Sequence, residues 1–205
     1  MKPVRSKNEQ KRSSNVDAAK PSGNGPRSRY VVAFHKCFGP HLAACAVSPR
    51  LAKACGRAEP RSWERGTVSA EACAGVAALS DYANALGDGR GFAGFYEAVA
   101  AAETAPLGRL LHFLHAAKAV EVVGAGGGDR LPTVAFSHAR LAPATIVANA
   151  RAARVALRCG DFLSPRLVAA CGAGPGGVVR ASLVHYNTLA EVDALCACLE
   201  RMDGW

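Results

Sequence analysis

The chain has 205 residues, about half of them apolar and a fifth charged, and Ala and Gly outnumber the aromatic residues. This size and composition are those of a globular protein that can bury a core without disulfide bonds, and they exclude a chain that is disordered throughout. The formal net charge of +9 is concentrated at the start, where residues 1–30 carry eight Lys and Arg against Glu9 and Asp17. Because no aromatic residues alternate with these basic ones, the tail is typical of a solvated segment, and a basic-tailed nucleic-acid adaptor is the least favoured function.

The eight cysteines form no CxxC pair and no Cys/His spacing of a zinc site, so we predict no metal. Several lie in Ala-rich stretches, which favours reduced thiols in a cytoplasmic protein. No apolar run approaches the roughly 20 residues of a membrane span, and no apolar signal segment is present, so we expect neither a membrane contact nor secretion. The basic, Ser-containing start leaves an organellar transit peptide as the alternative location.

Hydrophobic spacing, caps and breakers predict the elements of the first half of the chain. The first is a buried strand over residues 31–34, followed by a short helix over Val47–Cys55 that starts near Pro49 and is stopped by Gly56. A loop over Arg57–Val68 leads to a helix that is capped by Ser69, runs to Leu86 and is closed by Gly87. A helical stretch over Phe95–Ala119 follows and is interrupted or kinked at Pro106.

After residue 119 short strands alternate with helices, which indicates an α/β sandwich. The predicted strands cover residues 119–123, 133–137, 155–157 and 178–183, with a turn over Gly124–Asp129, and the predicted helices cover residues 143–153 and 165–171. Thr188-Leu-Ala-Glu191 is a capping box, so a final helix is expected to begin there and to bury Val192, Leu195, Cys196 and Leu199.

The segment Ala33-Phe-His-Lys-Cys-Phe-Gly-Pro-His41 places a lysine directly after a buried strand and before a Gly-Pro turn. A lysine held there is partly desolvated, and desolvation favours the neutral amine that forms a Schiff base. By itself the position of Lys36 is also that of an ordinary solvated surface lysine.

Three segments together resemble the class V aminotransferase and cysteine desulfurase group of fold-type I pyridoxal 5'-phosphate (PLP) enzymes. They are the Lys36 segment, Trp63-Glu-Arg-Gly-Thr67 followed by Ala74-Gly-Val-Ala-Ala-Leu79, and Arg180-Ala-Ser-Leu-Val-His-Tyr-Asn-Thr188. The resemblance covers residues 31–203 and implies an α/β fold, with a partial PLP-transferase large domain followed by a small α/β sandwich C-terminal domain. The implied division is a basic tail at 1–30, a large-domain remnant at 31–95 and a small domain at 96–205.

The resemblance also implies roles for single residues. Lys36 would hold PLP through a Schiff base and later move the substrate's α-proton, and His35 would contact the cofactor phosphate. The Gly-Thr loop would reach the phosphate of the partner subunit in a homodimer, with Thr67 as the contact and Gly66 allowing close approach, since hydroxyls and backbone amides are suitable donors. Arg180 would bind the carboxylate of an amino-acid substrate, because its guanidinium fork bonds a carboxylate bidentately. Asn187 would orient that loop.

Structural alternatives stay open for the same side chains. His35 could be a core histidine, Thr67 a loop hydroxyl at a helix start, Arg180 a strand-edge cation and Asn187 a simple turn residue.

The sequence also departs from the family pattern. Ala33 stands where desulfurases often have a phosphate-binding Ser, and Leu163 falls at the position of their nucleophilic Cys. Cys159 lies before Gly160, the glycine that matches the start of the cysteine-bearing loop of desulfurases, and a structural role is favoured for Cys159. The segment before Lys36 that would supply the ring-stacking residue and the pyridinium Asp is replaced here by the polar tail. We therefore expect a truncated lyase or transferase of doubtful activity alone; the alternative is a non-catalytic remnant that acts as an interaction or dimerisation module.

Overall fold

The computed structural model describes residues 29–57, 59, 63–64, 66–124 and 130–205. The basic tail up to residue 28 and most of the expected Gly124–Asp129 turn lie outside these ranges. The chain divides into two compact units, Met1–Leu79 and Ser80–Trp205, and the division falls inside a helix. The domain boundary expected at residues 95 and 96 stays a prediction.

The first unit contains an antiparallel pair of strands. Strand β1 (Arg29–Ala33) pairs with β2 (Ala43–Val47), and Ala33 lies opposite Ala43. The expected strand at 31–34 is confirmed in position but not in burial, because Val31 is 63% exposed. Phe34 belongs to a short 3-10 turn, Phe34–Lys36, that follows β1. A ribbon of two strands has few neighbours to cover it, which accounts for the exposure.

Helix α1 (Pro49–Ala54) is shorter than predicted, because Val47 is the last residue of β2. The Ser48 hydroxyl accepts a hydrogen bond from the Leu51 amide at 3.2 Å, so the helix begins at Pro49, as Pro in a first turn allows. Gly56 follows with φ +65°, a left-handed conformation that ends the helix as expected.

Helix α2 (Ala70–Leu86) has the predicted bounds. The Ser69 hydroxyl accepts from the Ala72 amide at 3.1 Å, which confirms the N-cap. Gly87 follows the last residue of α2, but it does not adopt the left-handed conformation of a typical glycine cap. A Cβ at Gly87 would lie 2.5 Å from the Phe95 amide nitrogen, so a glycine is needed where the next helix passes.

Helix α3 (Gly91–Ala116) starts earlier and ends earlier than predicted, and it is not interrupted at Pro106. Pro106 is buried inside the helix, where its ring packs although it cannot donate a backbone hydrogen bond. One and two turns further on, Leu110 and Leu114 are fully buried. Burial of this stripe holds the helix together across the proline.

The second unit also contains a four-stranded antiparallel sheet in the order β3-β4-β6-β5. Its strands are β3 (Val120–Val123), β4 (Thr133–His138), β5 (Arg158–Gly160) and β6 (Val178–Ser182), and the remaining helices are α4 (Pro143–Ala152), α5 (Pro165–Ala170) and α6 (Leu189–Glu200).

The strand predicted at 155–157 is misplaced, because the observed strand β5 begins three residues later, at Arg158. Arg154 is left-handed, with φ +61°, and the Val155 amide still bonds to the Ala150 carbonyl at 2.8 Å. These residues finish α4, so pairing with β6 cannot begin before Arg158.

One face of this sheet packs against α3, α4 and α6 around a single core. The largest fully buried side chains are Phe136, Leu110, Leu114, Ile146, Leu199, Val134, Val179 and Val192. None of the helices in the described ranges combines the length and apolar character that a membrane-spanning segment needs.

Candidate active site

Lys36 is the last residue of the 3-10 turn, in a loop that backbone hydrogen bonds close tightly. The Phe34 amide donates to the Leu42 carbonyl at 2.9 Å, and the amides of Cys37 and Gly39 both donate to the Phe34 carbonyl at 2.8 Å. The Lys36 side chain is exposed. The partial desolvation expected from sequence is therefore not found within the described part of the chain, although the backbone that carries the amine is fixed.

His35 and His41 lie on either side of this loop, and their rings stack with centroids 4.8 Å apart and planes within 10°. Both residues are exposed. The reading of His35 as a core histidine is therefore wrong. Its ring is available to a ligand beside the amine of Lys36.

Helix α2 supports the loop through two positions one turn apart, Gly75 and Leu79, which share a helix face. A Cβ built at Gly75 would lie 3.2 Å from Pro40 Cγ, and one at Gly39 would lie 3.0 Å from Leu79 Cδ1. These contacts leave little room for larger side chains. The loop is thus held both by its own hydrogen bonds and by packing on α2.

Gly66 and Thr67 precede α2 and are exposed. Gly66 has φ +85°, and no atom would lie within 4 Å of a Cβ placed on it. Before it, the Trp63 indole donates to the Arg57 carbonyl at 2.9 Å. Arg65 lies outside the described residues. The amide and hydroxyl of this Gly-Thr pair stand where a ligand can approach them.

Arg180 lies on β6, directly opposite Arg158 on β5 and Ala135 on β4. Strand β6 is flanked on both sides, so the reading of Arg180 as a strand-edge cation is wrong. Its neighbour Val179 is fully buried on the core face, and alternation along the strand places Arg180 on the other face.

The guanidinium of Arg180 packs on an aromatic ring and not against an acidic side chain. Its Cζ lies 4.1 Å from the centroid of the Phe162 ring. Among the described residues no carboxylate forms an ion pair with Arg180, and its Nε is buried without a hydrogen-bond partner. A half-buried guanidinium in this state is suited to an anion brought by a ligand.

Asn187 closes the turn that follows β6. Its Oδ1 accepts from the Val184 amide at 2.9 Å, and its Nδ2 donates to a Glu191 carboxylate oxygen at 3.3 Å. The capping box is confirmed, since Thr188 and Glu191 bond each other's amides. Hydrogen bonds from the Thr188 amide, from Asn187 and from the Thr188 hydroxyl lower the pKa of Glu191. Asn187 therefore orients the turn, and its contact with substrate stays a prediction.

The turn Asp161–Ser164, where the family resemblance would place the nucleophilic cysteine of desulfurases, is strained. Phe162 and Leu163 are both left-handed, with φ +52° and +61°, and the Ser164 amide bonds to the Asp161 carbonyl at 2.9 Å. Leu163 is 97% exposed. Cys159 instead lies opposite buried Val179 and packs against the core, which supports its structural role.

Replacing Leu163 with Gly should raise the free energy of unfolding by about 0.5–1 kcal/mol. The left-handed conformation costs an L-residue about 1–2 kcal/mol, part of which is offset by the extra freedom that glycine has in the unfolded chain. Since the leucine side chain is exposed, little packing is lost. Denaturant unfolding measures the effect, and Leu163→Ala is the control because it keeps the strain. If the glycine variant is less stable than the alanine one, the turn is not left-handed.

A cluster around His185 was not predicted from sequence. The Tyr82 hydroxyl and His185 Nε2 form a hydrogen bond, and the Phe95 ring lies 5.8 Å from that of Tyr82 and 6.1 Å from that of His185. Burial raises the pKa of nearby Glu103, and the charge of His185 opposes that rise. Tyr82 and His185 are 103 positions apart in the sequence, so no local pattern signals their contact.

Residues 46–195 match the model of the aminotransferase class-V family. The chain belongs to that family. The match starts after Lys36, so the lysine segment rests on the resemblance of its own motif. Class-V aminotransferases and cysteine desulfurases are PLP enzymes, which makes PLP the cofactor to test against this site.

Known proteins resemble the chain in sequence and in fold. It is 36% identical over 112 residues to the aminotransferase-like protein FGM3 of Gibberella zeae, which covers 52% of this chain and 28% of that protein. The apo cysteine desulfurase of Thermococcus onnurineus NA1 superposes with a TM-score of 0.73 at 19% identity, over 87% of this chain and 48% of that one. The cysteine desulfurase CsdA of Escherichia coli gives 0.69 at 20% identity, over 85% and 45%.

These likenesses confirm the family and the mixed α/β, PLP-transferase fold expected from the motifs. The chain spans less than half the length of each of these relatives. What the whole protein does is accordingly a matter for proposal.

Proposed function

We propose that this chain forms part of a PLP-dependent enzyme that acts on an amino acid, with Lys36 as the residue that holds the cofactor. The observation that carries the proposal is the exposed amine of Lys36 on a loop whose backbone is fixed by hydrogen bonds and by contact with α2. A fixed backbone limits the positions that the amine can take. Such restriction is what a covalent attachment point requires.

The residues of the first unit fit two parts of PLP. The amine of Lys36 fits the aldehyde, and the imidazole of His35, the Gly66 amide and the Thr67 hydroxyl are donors that suit a phosphate. The Gly-Thr pair would serve the phosphate of a partner subunit in a homodimer. PLP, when bound, supplies an electron sink that stabilises negative charge at the substrate's α-carbon. No residue of this chain is assigned to the ring nitrogen.

The chain's own groups then have separate tasks. The Lys36 Nζ takes the proton from the substrate's α-carbon and can return it. Arg180 binds the substrate carboxylate through two parallel hydrogen bonds, which fixes the orientation of the amino acid. Asn187 keeps the turn after β6 in place through its bonds to Val184 and Glu191.

The exposed Leu163 favours lyase or transaminase chemistry over sulfur transfer. A desulfurase needs a thiolate at that turn, and an alkyl side chain has no nucleophilic atom. Cys159 cannot replace it, because it is partly buried and packs against the core. No observation in the described chain favours a non-catalytic remnant. A cytoplasmic location is part of the proposal, supported by eight free cysteines.

Reductive trapping tests the assignment of Lys36. The full chain is incubated with PLP, reduced with borohydride and mapped by peptide mass spectrometry. We expect most of the label on Lys36, because its backbone is fixed and His35 can hold the phosphate. Trapping is covalent, so it does not require tight binding.

Lys36→Ala should remove this label, whereas Lys53→Ala is the matched control and should leave it unchanged, since Lys53 is an exposed lysine on the neighbouring α1. Label spread evenly over Lys36, Lys53 and Lys118 would contradict the assignment.

A further inference from the structure

Phe162 supports the guanidinium of Arg180 with the face of its ring. The Cζ-to-centroid distance of 4.1 Å is well inside the roughly 6 Å limit of a cation–π contact. We infer that Phe162 is a positioning residue that fixes Arg180 for the substrate's carboxylate. The inference rests on the proposed function, in which Arg180 binds that carboxylate.

An aromatic partner differs from an acidic one in what it leaves free. A guanidinium has five N–H donors, and a carboxylate paired with it would occupy two of them and compete with a substrate. A ring face bonds the flat side of the guanidinium and leaves the donors at its edge available. Phe162 can thus hold Arg180 still without taking the place of its ligand.

The other neighbours of Arg180 in the sheet cannot do this. Ala135, opposite on β4, has no hydrogen-bonding side chain, and Arg158, opposite on β5, carries the same charge. Like charges directly opposite in a sheet repel each other, so Arg158 cannot hold Arg180 in place. Asp161 is close in sequence, but its Oδ1 accepts from the Leu163 amide at 3.0 Å, and Arg180 and Asp161 form no ion pair in the described structure.

The backbone conformation of Phe162 also supports the inference. Both central residues of the Asp161–Ser164 turn are left-handed, a conformation that turns of this type normally give to Asn or Gly. The side chain of Leu163 is exposed to solvent, whereas the ring of Phe162 lies on the guanidinium of Arg180. Strained residues persist where the surrounding structure requires them, and at Phe162 the requirement is the ring.

The test uses side-chain NMR of the full chain with PLP present and L-alanine as the carboxylate probe. A ring face at 4.1 Å should shift the Arg180 Hε resonance upfield, and L-alanine should move that resonance saturably. Phe162→Leu keeps an apolar side chain but removes the ring current. It should abolish the upfield shift and weaken L-alanine binding about two- to fivefold, as the loss of a partly exposed cation–π contact would. Phe162→Tyr should restore both.

Leu163→Ala is the matched control, since it changes the adjacent left-handed residue without touching Arg180, and neither signal should move. An Arg180 resonance that is the same in the wild type and Phe162→Leu would show that the ring does not lie on the guanidinium. Loss of the ring shift with unchanged L-alanine affinity would overturn the positioning role alone. If L-alanine fails to bind the wild type, or binds Arg180→Lys equally well, the proposed role of Arg180 fails, and the inference fails with it.

Discussion

Arg180→Lys is expected to weaken binding of an amino acid by about ten- to a hundredfold. Lysine keeps the positive charge, but it loses the planar fork that bonds a carboxylate twice and the flat face that lies on Phe162. Losing a charge-assisted hydrogen bond costs about 1.5–3 kcal/mol, which corresponds to that range of affinity. The L-alanine titration of the full chain measures it, with cofactor trapping on Lys36 expected to be unchanged.

Arg158→Lys is the matched control for this prediction. Arg158 is the cross-strand neighbour of Arg180 and carries the same charge, but it is exposed, and in the described structure it forms no cation–π contact with Phe162. We expect its replacement to change affinity no more than about twofold, because exposed charges interact weakly through water. An equal loss in both variants would mean that Arg180 has no special role. No loss in either variant would mean that the site attracts the carboxylate by positive charge alone, since lysine keeps that charge.

Local signals in the sequence predicted the ends of several helices correctly. Ser69 and Thr188 bond the amides of their own first helical turns, and Gly56 ends its helix through its own backbone angle. These interactions span only a few residues, so a short pattern contains all the information that decides them.

Strands were harder to predict, because pairing depends on distant residues. Strand β2, Ala43–Val47, has small side chains with little preference for extended structure, and β1 fixes it through the loop that carries Lys36. The start of β5 depends on where α4 ends, at the left-handed Arg154. Neither feature could be read from hydrophobic spacing.

The candidate site shows the same division. Lys36, His35, Gly66, Thr67 and Arg180 stand in segments that resemble family motifs, so a sequence comparison could propose them.

The contact of Phe162 with Arg180 could not be proposed in this way, because Asp-Phe-Leu-Ser carries no Asn-Gly signature of a left-handed turn. The expected desolvation of Lys36 failed for a related reason. It depended on how many neighbours surround β1, which the sequence of the strand does not contain.

Gly94→Ala is expected to lower the free energy of unfolding of the second unit by about 1–3 kcal/mol. A Cβ at Gly94 would collide with the Gly87 carbonyl oxygen and lie 2.8 Å from Arg90 Cβ. The end of α2 and the start of α3 would have to separate, and overpacking of this kind costs more than alanine gains in helix propensity. Far-UV circular dichroism during denaturant unfolding provides the measurement.

Gly108→Ala on the same helix is the control, because nothing lies within 4 Å of a Cβ there, and it should stabilise the protein by about 0.5–1 kcal/mol. The Gly87–Gly94 contact seats Phe95 beside Tyr82 and His185, and His185 lies in the segment that joins Arg180 to Thr188. Gly94→Ala should therefore also disturb the resonances of the Arg180 segment, whereas Gly108→Ala should not. If both alanines stabilise the protein equally, the two helices do not approach as closely as Gly87 and Gly94 allow, and the segment carrying Arg180 is not supported from this side.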